Sequence, residues 1–120
     1  MHPTFQDPPR EFGFMPFWFW NDHLTEEGIV AQIREFHGHG FGGFIPHART
    51  GLSRQIGYLT PEFFRLVRVA VTEAARLGMH VVLYDEGGYP SGSAQGRVVA
   101  ANPDWAAKCV FPVHHRVSGP

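Results

Sequence analysis

Cysteine is almost missing: Cys109 is the only one in 120 residues. No internal disulfide can form, so a disulfide framework cannot stabilise the chain. Nothing around Cys109 marks a catalytic thiol, and it is expected as a small buried apolar residue. Charge is scarce as well. Charged residues make up 18%, with 10 Lys and Arg against 11 Asp and Glu, a formal net charge of −1. That excludes a basic nucleic-acid footprint over the whole chain. Long hydrophobic runs are lacking too. The densest, Phe14 to Trp20, is far too short to span a bilayer. The segment from Met1 to Arg10 has no basic stretch followed by an apolar one, so it does not read as a secretory signal. The expectation is a chain without a nucleic-acid or membrane partner, cytoplasmic by default.

Other features are plentiful. Hydrophobic residues reach 43%, aromatics 14% with 11 Phe, and there are 14 Gly and 10 Pro. This mix is globular and rich in tight turns. The length suits one compact domain and not two.

After a polar, Pro-rich lead-in (residues 1–13), Phe14-Met15-Pro16-Phe17-Trp18-Phe19-Trp20 is apolar throughout. Such a run predicts a strand buried on both faces, as in a parallel sheet, with Pro16 limiting it. Thr25 caps a predicted helix over 25–37, with Glu26 and Glu27 in its first turn and a stripe of Ile29, Ile33 and Phe36. Phe41 to His47 predicts a second strand. Thr60-Pro61-Glu62 opens a second helix, carried by Phe63, Val67, Ala70, Ala74 and Leu77 and stopped at Gly78. Met79 to Tyr84 predicts a third strand, and Ser93 caps a short helical piece over about 94–101. Residues 110–117 alternate partially and suggest a further strand. The order β-α-β-α-β implies right-handed parallel crossovers and an α/β fold.

In a parallel α/β sheet, function gathers at the C-terminal ends of the strands. The first end offers Trp18, Trp20, Asn21, Asp22 and His23. The second offers His47, Arg49 and Thr50. The third offers Tyr84, Asp85, Glu86, Tyr89 and Ser91. Aromatic faces stack on pyranose rings, and carboxylates, Arg and His bond hydroxyls, so this mixture suits a sugar. Glycoside hydrolysis needs two carboxylic groups flanking the bond. Asp85 and Glu86 are adjacent, so in extended chain they point to opposite faces and do not make one acid/base pair. One lines the site while the other supports the barrel layer or a loop, or both are solvated loop carboxylates. Arg49 clamps a carboxylate or hydroxyl, or makes a surface ion pair. His47 is a ligand contact or a satisfied structural histidine. Trp18 reads as core, and Trp20 as either core or site.

Other motifs are weaker. His37-Gly38-His39 has the spacing of a metal-binding pair, but it follows a helix and precedes a strand, at the rim opposite the strand ends. Gly38-x-Gly40-x-Gly42 also runs helix to strand, against the sense of a phosphate loop. Gly87 to Ser93 runs strand to helix without the Lys of a P-loop. It leaves open a small phosphate-binding flavodoxin-like domain. His114-His115 has no metal-ligand company.

Three segments carry a resemblance. Pro16-Phe17-Trp18-Phe19-Trp20-Asn21, Gly42 to Leu52 (Gly-Gly-Phe-Ile-Pro-His-Ala-Arg-Thr-Gly-Leu) and Leu83 to Gly92 (Leu-Tyr-Asp-Glu-Gly-Gly-Tyr-Pro-Ser-Gly) resemble opening barrel segments of large bacterial glycoside hydrolases, namely the α-L-rhamnosidase-like proteins of family 106. The third segment is the most specific. It departs from many relatives in having Gly87-Gly88-Tyr89-Pro90 where they carry Asp or Asn, then Gly and Trp-Pro. The resemblance implies the first three βα units of a truncated (β/α)₈ barrel over residues 14–108. Residues 109–120 would begin an inserted or following β segment. It also implies a glycosidase acting on polysaccharide or glycoconjugate linkages, with the remaining domains of a longer chain as partners. Asp85 and Glu86 are the candidate catalytic residues, although in such barrels the acid and base usually come from later strands. Trp20, Asn21, His47, Arg49, Tyr84 and Tyr89 are the candidate substrate contacts. No metal-ligand set is evident, and calcium enters only through the resemblance. A non-catalytic carbohydrate-binding or degenerate barrel piece is the alternative.

Overall fold

The computed structural model describes residues 2–88 and 93–119. The lead-in forms a single turn of helix, α1 (Pro3–Gln6), and a 3₁₀ turn (Arg10–Phe12). It is stitched to the body by the Arg10 guanidinium, which donates to the His37 carbonyl at 2.8 Å.

Three parallel strands follow: β1 (Phe17–Trp20), β2 (Gly43–Ala48) and β3 (His80–Val81), in spatial order β1-β2-β3. Helix α2 (Glu26–Gly38) links β1 to β2, and α3 (Pro61–Arg76) links β2 to β3. Both helices begin where the sequence says. The Thr25 hydroxyl accepts from Gly28 N at 3.1 Å, and the Thr60 hydroxyl accepts from Phe63 N at 3.1 Å, with Pro61 at the first helical position.

The first strand corrects one expectation. It is not buried on both faces but alternates: Trp18 and Trp20 are buried, and Phe17 and Phe19 are 50% and 46% exposed. The sheet therefore has one covered face and one open face. On the covered face, Trp18, Trp20 and Phe44 pack with Ile29 and Ile33 of α2 and Phe63, Leu66 and Ala70 of α3. Trp18 meets Trp20, Phe36 and Phe44 nearly perpendicularly at 5.3–5.6 Å. Edge-to-face pairs of this kind add about 0.5–1.5 kcal/mol each beyond area burial.

The third strand is shorter than the sequence pattern predicts. His80 N and Val82 N donate to the Gly42 and Phe44 carbonyls at 2.9 and 3.1 Å. By alternation the next β2 residue facing β3 is Pro46, which has no N–H to give, so the ladder stops. Pairing resumes at one bridge, Ala48 with Gly87. Between the pairs Phe44–Val81 and Ala48–Gly87 the β3 side holds two more residues than β2, so the chain over 82–86 bows out as a bulge does.

The helices are tied by charge. The buried Glu73 carboxylate takes Arg34 Nε from α2 at 2.7 Å and the Arg76 guanidinium at 2.7 and 2.8 Å. Hydrogen bonds from Arg76 and then Arg34 hold its pKa down at about 2. The hydrophobic pattern of α3 gave no sign that Glu73 is buried.

Beyond the body, α4 (Arg97–Ala101) starts later than predicted, with Gly96 in the left-handed region at the cap in place of Ser93. A 3₁₀ turn, Pro103–Trp105, follows. The strand expected at 110–117 does not form; these residues are exposed throughout and have no strand pairing. Cys109 is exposed and not buried, within a stretch, 107–119, that is exposed throughout. No helix among the described residues is long and apolar enough to cross a membrane.

Candidate functional site

The bulge and the open face meet at the C-terminal ends of the strands. Phe17 and Phe19 floor this region from β1. His47, from β2, is only 2% exposed. Its ring stands 5.9 Å from Phe17, 5.6 Å from Phe19 and 4.4 Å from Tyr84, edge-on to each. Neither imidazole nitrogen has a hydrogen-bond partner among the described residues. Among the described residues His47 is therefore not hydrogen-bonded as a structural histidine would be. An unpaired buried polar group costs on the order of 1–3 kcal/mol, and such costs concentrate where a site needs the group.

Two residues on, Arg49 places its guanidinium carbon 4.8 Å from the centre of the Phe19 ring. Among the described residues the Arg49 side chain makes no ion pair, so the expected surface pair is not formed. Among the described residues its planar fork of donors has no partner and is open to a ligand.

The bulged segment contributes Tyr84, Asp85 and Glu86. Tyr84 packs its ring on Phe17 at 5.1 Å and 89°, and its hydroxyl donates to Glu86 Oε2 at 3.0 Å. Burial, followed by the hydrogen bond and charge of Glu86, raises the Tyr84 phenol pKa above 10, while Arg49 opposes that rise. From the other side, Tyr58 donates its hydroxyl to the Asp85 carbonyl oxygen at 2.8 Å. Burial first, then Asp85 and Glu86, raise its pKa also. The Tyr58 ring lies directly over Gly87: a Cβ there would come within 2.5–2.8 Å of three ring carbons. Only glycine lets the bridge to Ala48 form beneath that ring.

His47, Arg49, Tyr84 and Glu86 thus come together. Trp20 does not join them. It is 0% exposed and sits on the helix side of the sheet, 5.7 Å from Phe63. The unbroken apolar run hid the alternation that sends it there. Asn21 is exposed just past β1, with the backbone of Gly51 packed on its carbonyl. The Asp85 side chain is exposed and has no hydrogen-bond partner among the described residues. Tyr89 and Ser91 lie outside the described residues, as does most of the loop from Gly87 to Ser93. His39 caps the end of α2, its Nδ1 2.8 Å from the Glu35 carbonyl. Sequence reasoning missed Tyr58, which no motif marks, and Phe17 and Phe19, which period-two alternation with Trp18 and Trp20 would have found.

No group of three His, Cys, Asp or Glu side chains among the described residues could hold a metal ion.

No protein-family model matches the chain, and no curated protein matches it. Among solved structures it is similar to a rhamnosidase from Novosphingobium sp. PP1Y, with a TM-score of 0.62 and 26% identity over 72% of this chain. The chain spans 9% of the length of that rhamnosidase. The relation is to a glycosidase, and it is distant.

Proposed function

We propose that these residues are the opening units of a (β/α)₈ glycoside hydrolase barrel of rhamnosidase type, and that the open face binds the sugar. The observation that carries the reading is the convergence of His47, Arg49, Tyr84 and Glu86 over the Phe17–Phe19 floor, at the strand ends where α/β folds place their sites. The likeness to a rhamnosidase supports it. In this reading the half-exposed aromatics carry the apolar face of a pyranose, and Arg49 and Glu86 bond its hydroxyls. Asp85 and Glu86 do not flank a bond as one acid/base pair, so a second carboxylate from later strands completes the chemistry. The 120 residues alone bind without turnover.

The test is an assay of the polypeptide with its native continuation on a panel of aryl glycosides that includes an aryl α-L-rhamnoside. Hydrolysis of the rhamnoside, lowered about 100-fold or more by Glu86→Gln, is the expected result. Absence of hydrolysis on every member of the panel rejects the reading.

A further inference from the structure

Adjacent carboxylates present a choice that the sequence leaves open, and the bulge resolves it. We infer that Tyr84 is a positioning residue that turns Glu86, and not its neighbour Asp85, toward the open face. Three observations carry this. The Tyr84 ring is fixed on that face by Phe17 and His47, at 5.1 and 4.4 Å. Its hydroxyl reaches Glu86 Oε2 at 3.0 Å, so one carboxylate oxygen is anchored and, among the described residues, the other stays free to accept. The segment is meanwhile pinned at the Asp85 carbonyl by Tyr58 and at Gly87 by the bridge to Ala48, which leaves little freedom to exchange the two side chains. Among the described residues the Asp85 carboxylate has no such donor; Asp85 and Tyr84 both border the apolar groove of Pro46, Tyr58, Phe63 and Leu83.

What Glu86 does for a sugar rests on the function proposed above. How it is held does not, and the two are tested apart. The 120-residue chain, labelled at the tyrosine ζ-carbons and free of ligand, is titrated by NMR, with Tyr84→Phe to assign the signal. Tyr84 is expected to ionise above the ordinary phenol value, as its surroundings require. Glu86→Gln should bring that midpoint down farther than Asp85→Asn does. Glu86→Asp keeps the charge but shortens the reach, and should fall between wild type and Glu86→Gln. Near-UV circular dichroism of each variant checks that the fold is retained. Equal effects of Glu86→Gln and Asp85→Asn, or a larger effect of Asp85→Asn, overturn the inference. So does a Tyr84 midpoint that neither substitution moves. A failed glycosidase assay alongside the expected titration would remove the function and leave the positioning intact.

Discussion

Gly87 is the tightest point of the site at the scale of single residues. A methyl group there enters the Tyr58 ring, whose hydroxyl also anchors the Asp85 carbonyl. Gly87→Ala is expected to destabilise the chain by about 1–3 kcal/mol and to loosen the 82–86 bulge. Urea unfolding, with the Tyr58 signal followed by NMR, measures both effects. An unchanged midpoint would mean that the ring does not press on Gly87. Side chains at this scale were legible unevenly. His47, Arg49 and Glu86 stood out because polar groups closing apolar strands have few other reasons to be there. Trp20 was ambiguous because strand alternation is invisible when every residue in the run is apolar. Tyr58 was illegible because its role depends on a turn before α3 meeting a bulge after β3, a contact with no local signature.

At the scale of elements, α2 and α3 owe their start points to threonine caps and their faces to apolar stripes, all readable in the sequence. Their mutual clasp through Glu73 was not readable, since a carboxylate at a core position breaks the stripe until its partners are seen. That clasp sets a pH dependence. The folded-state pKa of Glu73 lies at about 2, below the ordinary value of 4.5. A depressed carboxylate stabilises the fold fully above its unfolded value, and the contribution is lost as pH falls through the folded value. The urea midpoint should therefore drop between pH 4.5 and pH 2, and the drop should be smaller in Glu73→Gln, which is already weaker at pH 7. The same slope in both proteins would assign the acid sensitivity elsewhere. The third strand shows the limit of reading an element by itself. Met79 to Tyr84 has full strand character, but the donor it needs is missing on the neighbouring strand, at Pro46.

The whole molecule has a radius of gyration of 21.5 Å, against about 14 Å for a compact chain of this length. Residues 107–119 beyond α4 are all exposed, whereas the lead-in is tied to the small α/β body at Arg10. Among the described residues no layer covers one face of that body's sheet, and the proposed function gives that face its purpose. The measurement that tests this most directly is a titration of the labelled 120-residue chain with L-rhamnose, followed residue by residue by NMR. The account predicts shifts confined to Phe17, Phe19, His47, Arg49, Tyr84 and Glu86, with the helix-side Trp20 and Phe63 unmoved. Shifts spread over the helices, or none at any sugar concentration, would contradict it.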